Sequence, residues 1–130
     1  MPTSLRAAPR IVVVDDDPKV LEFLGDCFKR SGKGYDVETV SSGADSLEAV
    51  RRSRPDLVLL DIALPDLNGL DVLKLIRTID ARVPVIMITG TRDAKAAAEA
   101  IALGAFAYIP KPLEVAYIDN LVAAALKARP

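Results

Sequence analysis

The sequence predicts a three-layer α/β sandwich, a doubly wound (βα)5 domain whose parallel sheet has five strands. Three observations carry this. Its short β-branched and leucine runs are apolar throughout instead of alternating, as strands buried on both faces must be. A longer stretch of helical periodicity separates each run from the next, which is the spacing of crossovers between parallel strands. Glycine, proline and Asp or Asn fall at the joints.

The first strand is Ile11 to Val14. Asp17-Pro18 then opens a helix to about Arg30, with Asp17 as N-cap and proline at the first helical position. Val20, Leu21, Leu24 and Phe28 share one of its faces, and Gly32 and Gly34 end it. A second strand covers Tyr35 to Val40. Ser42-Gly43 introduces a helix carrying Leu47 and Val50, which Pro55 breaks. Leu57 to Leu60 is a third strand, ending at Asp61. Residues 64–69, LPDLNG, are turn chemistry in which Asp66 and Asn68 read as turn formers. A helix follows with Leu70, Leu73, Ile76 and Ile79 inward, and Pro84 leads into a fourth strand, Val85 to Ile88. The alanine-rich helix from Arg92 to Leu103 stops at Gly104, with Ile101 and Leu103 as its large apolar anchors. Phe106 to Ile109 is a fifth strand, and the last helix runs from about Glu114 to Ala128.

The 130 residues fit one domain, with a mobile N-terminal tail at 1–9 and a mobile final pair of residues. The net charge of −1 gives no sign of nucleic-acid binding. The opening MPTSLRAAPR carries no apolar run of signal-peptide type, and no segment reaches the length of a membrane span. Cys27 is the only cysteine, so no intrachain disulfide forms, which suits a reducing cytosol. Its place beside Leu24 and Phe28 makes it a buried, inert thiol. A cytoplasmic domain is expected. The 130 residues contain no histidine. That removes imidazole metal ligands, a histidine general base and a Ser-His-Asp triad.

In open α/β sheets, ligands meet the carboxyl ends of the strands. Those ends carry Asp15, Asp16 and Asp17, then Asp61, Thr89-Gly90 and Lys111-Pro112. Asp17 is assigned to the helix cap. Asp56 stands at the opposite end of the third strand and reads as a solvated flank. Asp15, Asp16 and Asp61 converge if strands one and three are neighbours, and three carboxylates call for a hard divalent cation such as Mg2+. Lys111 supplies a compact positive charge, and the following proline makes Lys111–Pro112 a candidate cis bond. Thr89, beside Gly90, is placed to donate a hydrogen bond to a ligand oxygen.

With these residues in place, the chain resembles the receiver domain of two-component response regulators, a CheY-like superfamily. The matching stretches are VVVDDDP at 12–18, LVLLDIALPDLNG at 57–69, VIMITG at 85–90 and GAFAYIPKPL at 104–113. The resemblance covers about Arg10 to Ala128 and implies a flavodoxin-like sheet of order 2-1-3-4-5, with the receiver domain at 10–128. It implies that Asp61 is the phosphoacceptor. Asp15, Asp16, Asp61 and the backbone carbonyl of Ala63 would hold Mg2+, with Mn2+ as a substitute. Lys111 would contact Asp61 and then its phosphoryl group. Thr89 would turn toward that group, and Tyr108 would swing into the space Thr89 vacates.

The implied donor is a histidine kinase or phosphotransfer protein, and slow autodephosphorylation resets the switch. Output would pass through the surface of helix 4, strand 5 and helix 5, including Lys95, Tyr108, Ala116 and Asp119, to an effector domain or protein, or into a phosphorylation-dependent homodimer. Neither nucleic acid nor membrane would bind this domain directly. The alanine-rich fourth helix buries little area and is the element expected to shift.

Two other classes compete. A pseudo-receiver would be a pure interaction module, but such domains lack part of the catalytic set. An aspartyl-nucleophile phosphohydrolase of the haloacid dehalogenase type wants a second aspartate two residues after the nucleophile, where this chain has Ala63. Several positions depart from the commonest receiver pattern. Leu67-Asn68-Gly69 stands where Met-Asp-Gly is frequent, and Pro110 precedes Lys111. Ala63 and Thr91 border the phosphoryl position and leave its lifetime open.

Overall fold

A computed structural model describes residues 8–90 and 94–129. The elements alternate strictly: β1 (Arg10–Val14), α1 (Pro18–Arg30), β2 (Asp36–Val40), α2 (Gly43–Arg52), β3 (Leu57–Asp61), α3 (Gly69–Ile79), β4 (Val85–Thr89), α4 (Ala94–Ala102), β5 (Ala107–Pro110) and α5 (Val115–Ala128). The five strands are parallel in the order β2-β1-β3-β4-β5. Both the (βα)5 class and the strand order agree with the sequence reading.

The period-2 geometry of a strand divides the core in two. Ile11, Val13, Leu57, Leu59, Ile86, Ile88 and Ile109 pack with Leu24 and Phe28 of α1 and with Ile118, Val122 and Ala125 of α5. Val12, Val14, Val58, Leu60, Val85 and Met87 pack on the other face with Leu47 and Val50 of α2, Val72, Leu73 and Ile76 of α3, and Ala100 of α4. β1, β3 and β4 are therefore apolar at both parities. β2 lies at the edge and carries Asp36, Glu38 and Thr39 beside Val37 and Val40.

Side chains cap three of the helices, and the Asp17 cap is the one assigned from the sequence. The Asp17 carboxylate accepts from Lys19 N at 2.9 Å, with Pro18 following it. Asn68 caps α3 by accepting from Leu70 N at 2.8 Å, and Ser42 caps α2 by accepting from Asp45 N at 3.1 Å. Cys27 is buried, and burial pushes its thiol pKa up.

Two local expectations, at Asp56 and Ile101, are corrected. Asp56 is not a solvated flank: it is buried, accepts from Arg10 N at 2.8 Å and pairs with Arg129 at 3.6 Å. Of the ends expected to be mobile, residues 1–7 and 130 lie outside the described residues, and the Pro9 carbonyl accepts from Asp36 N at 2.9 Å. Ile101 does not anchor α4, being 51% exposed; Ala100 is the buried residue of that helix and Leu103 packs partly against the core. In so alanine-rich a helix the apolar pattern is too uniform to mark a face.

Candidate functional site

Strand pleat and register assemble the site. Asp61 is the last residue of β3, on the parity of Leu57 and Leu59. Asp15 follows Val14 on the parity of Ile11 and Val13, and its N–H extends the ladder to Val40 O at 3.2 Å. Pairing of Val14 with Leu60 continues by one residue to bring Asp15 level with Asp61. Lys111 follows Pro110 on the parity of Ile109, its N–H reaching Thr89 O at 2.7 Å. Two aspartates and a lysine from three strands thus reach one face by simple alternation. Thr89 and Tyr108 take the opposite parity. Tyr108 is registered against Met87 and packs on the α2–α4 side of the core, and Thr89 is buried two residues further along β4. The Lys111–Pro112 peptide bond is cis.

Carboxylate oxygens of Asp15, Asp16 and Asp61 all lie within 4.8 Å of one another, Asp16 exposed and the other two buried. Lys111 Nζ is 3.1 Å from Asp15 Oδ2 and 3.7 Å from Asp61 Oδ2. The shorter ion pair is therefore with Asp15, although the resemblance implies Asp61 as the lysine's contact. One ammonium among three ionised carboxylates leaves two negative charges uncompensated. The consequence is visible at Asp61, which is 3% exposed. Burial and the Asp15 charge push its pKa up to about 6, against the opposing pull of the Ala63 N–H and the Lys111 ammonium. Burial alone would lower the Lys111 pKa, but Asp15 and Asp61 outweigh it and hold the ammonium above the usual lysine value.

This donor set fits a divalent cation. Every ligand atom is a hard oxygen, the net charge is negative, and Asp15 Oδ2 is buried with no hydrogen bond beyond its ion pair. The neighbouring loop is shaped to stay close. Gly69 N donates to Ile62 O at 2.7 Å, and Ala63 bridges to Asn68. A Cβ on Gly69 would overlap the Asp61 and Ile62 backbone, so only glycine fits there.

Residues 11–123 match the response regulator receiver domain family. The chain belongs to that family. It is 42% identical over 105 residues to the DNA-binding response regulator MtrA of Mycolicibacterium smegmatis, covering 81% of this chain and 45% of the relative. It is 32% identical over 123 residues to the regulatory protein AtoC of Escherichia coli, covering 95% of this chain and 26% of the relative. The chain thus spans less than half the length of these curated relatives. Among solved structures, the receiver domain of a response regulator from Methanospirillum hungatei superposes with TM-score 0.88 at 27% identity, covering 93% of this chain and 95% of that one. The signal receiver domain of a LuxO repressor protein from Vibrio parahaemolyticus gives TM-score 0.87 at 32% identity, covering 92% and 91%. Among the described residues, no helix is long and apolar enough to cross a membrane.

At the β5 edge of this receiver domain, a cleft of about 630 Å³ is lined by residues including Ala97 of α4, Tyr108, Pro110 and Lys111 of the β5 end, and Tyr117 of α5. Lys95 and Ala116 are exposed. Asp119 is not part of this cleft. It lies against α1 in a groove with Phe23, Asp26 and Cys27, because two residues along a helix turn a side chain through about 200°. Tyr117 is the residue the sequence reading missed. Thr91 lies outside the described residues.

A second omission is Asp66. Its two oxygens accept from Gly43 N at 2.8 Å and Ala44 N at 3.0 Å, across more than twenty residues. Local sequence marks it only as a turn residue. Its partner helix is set by tertiary packing.

Proposed function

We propose that this chain is a cytoplasmic, phosphorylation-dependent signalling switch in which Asp61 accepts a phosphoryl group from a phosphohistidine on a partner kinase or phosphotransfer protein. The observation that carries this is the convergence of Asp15, Asp16 and Asp61 within 4.8 Å, with Lys111 beside them.

Asp61, once deprotonated, attacks phosphorus: the O–P bond forms, and the P–N bond to the donor imidazole breaks with its electron pair returning to the ring. Asp15, Asp16, Asp61 and the Ala63 carbonyl would hold Mg2+, or Mn2+ in its place. The cation would supply positive charge against the phosphoryl oxygens. Lys111 leaves its pairing with the carboxylates to balance the charge gained on Asp61. The Thr89 hydroxyl donates to a phosphoryl oxygen, and Tyr108 on the same face of the sheet follows it inward. Water later cleaves the acyl phosphate to inorganic phosphate and restores the Asp61 carboxylate. The domain thereby acts only on its own phosphorylation state.

Output passes through α4, β5 and α5. The cleft between α4 and Tyr117 and the shallow burial of α4 support this face as the one that changes. An effector domain or protein reads it, or a homodimer forms on it, with neither nucleic acid nor membrane bound by this domain directly.

The test is incubation with a small phosphodonor, with and without Mg2+, followed by intact-mass measurement. A gain of roughly 80 Da, one phosphoryl group, that requires Mg2+ and is lost in Asp61→Asn is the expected result. A gain that persists in Asp61→Asn removes Asp61 from the role.

A further inference from the structure

We propose that Asp66 is a positioning residue for the acidic cluster: by gripping the first turn of α2, it fixes the loop whose Ala63 end borders Asp61. This rests on the reading of Asp15, Asp16, Asp61 and the Ala63 carbonyl as the cation's ligands. The loop from Ile62 to Gly69 is closed at its inner end by the Ala63–Asn68 bridge and by the Gly69 N to Ile62 O hydrogen bond. Its outer end is held differently. The Asp66 carboxylate takes two consecutive backbone N–H groups of α2, those of Gly43 and Ala44. Two N–H groups at a helix start form a charge-assisted, two-point grip, stronger and better oriented than a single neutral hydrogen bond. These bonds hold the Asp66 carboxyl below its ordinary pKa.

The seat of this grip is shaped for it. A Cβ on Gly43 would come 2.9 Å from Val72 Cγ2 and 3.0 Å from Leu67 Cδ1, so α2 and the loop approach as closely as a glycine allows. Leu67, the residue after Asp66, therefore lies directly on α2. The α2 start does not need Asp66 for a cap, since Ser42 Oγ already accepts from Asp45 N. The Asp66 carboxylate serves the loop as much as the helix. Coupling of this kind is reciprocal: if the grip favours cation binding, the cation tightens the grip.

The experiment is a calorimetric Mg2+ titration of the 130-residue chain and of Asp66→Ala, Asp66→Asn and Ser42→Ala. The Gly43 and Ala44 amide resonances are followed alongside. In the wild type, Mg2+ is expected to shift both amides although neither residue belongs to the cluster. Asp66→Ala raises the Mg2+ Kd by about 5-fold, short of the roughly 10- to 100-fold of a group bonded directly to a ligand. Asp66→Asn retains one acceptor oxygen and shows a smaller rise. Ser42→Ala removes the cap of the same helix, lowers Tm and leaves Kd unchanged. Equal Kd in the wild type and Asp66→Ala overturns the inference while leaving the receiver reading intact. Equal rises in Asp66→Ala and Ser42→Ala also overturn it, since loosening α2 by either route would then suffice. A wild-type chain that takes up no Mg2+ overturns the receiver reading and this inference together.

Discussion

β3 is flanked by two buried aspartates that have opposite surroundings. Asp56, just before the strand, meets the Arg10 N–H and the Arg129 guanidinium. Asp61, at its far end, meets the Ala63 N–H and a shared lysine, but also the charges of Asp15 and Asp16. Asp56 joins the start of β1 to the end of α5 and is compensated. Asp61 is held among like charges, and its carboxyl is pushed up to about 6. The same residue type is paired with an arginine at one edge of the sheet and held among like charges at the other. What distinguishes them is whether the fold supplies the opposite charge or leaves room for it to arrive from outside.

The contrast is broken most severely by exchanging each aspartate for a neutral residue. Asp61→Asn is expected to abolish phosphoryl uptake from a small donor, read by intact mass, whereas Asp56→Asn retains it. The stability effects run the other way. Asp61→Asn removes a buried like-charge conflict and should stabilise the cation-free protein at pH 7.5 by on the order of 3 kcal/mol, a shift from 3.8 to about 6 converted at 1.36 kcal/mol per unit. Asp56→Ala leaves the Arg10 N–H and the Arg129 guanidinium without their carboxylate. It should cost about 2 kcal/mol in urea unfolding. A smaller effect belongs to Asp17, whose cap reaches only Lys19 N: Asp17→Ala should cost about 1 kcal/mol with no change in phosphoryl uptake. The least perturbing comparison is between helices. α3 buries Val72, Leu73 and Ile76 while α4 buries Ala100, so amide exchange is expected to be faster in α4. Protection in α4 equal to that in α3 would contradict the proposal that α4 is the element that moves.

The two edges were also unequally legible in the sequence. Asp15, Asp61 and Lys111 could be placed because strand parity and a parallel fold fix where strand ends go, whatever the details of packing. Asp17 could be assigned to its helix because a cap and its helix are adjacent in the chain. Asp56 could not be read correctly: its partners lie at Arg10 and Arg129, far along the chain at either side, and nothing near Asp56 announces them. Asp66 and Asp119 failed for related reasons, the first because its grip on α2 spans more than twenty residues. The second failed because membership of a face depends on helix rotation. Ile101 shows the limit of composition, since a large apolar side chain in an alanine helix need not face the core.

The carboxyl edge carries a charge imbalance that a bound cation would relieve, and the pH dependence of stability is its direct readout. Asp61 binds its proton more tightly folded than unfolded, so its contribution is favourable in acid and is lost as pH rises from about 4 through about 6. Unfolding of wild type and Asp61→Asn should be measured from pH 4 to 8, with and without Mg2+. Without Mg2+, the stability gap in favour of Asp61→Asn should be small near pH 4, open by pH 6 and stay open at pH 8. With Mg2+, the wild type should recover most of that gap at pH 8 and little of it at pH 5. A gap that is independent of pH, or a Mg2+ effect of equal size in both proteins, would contradict the account.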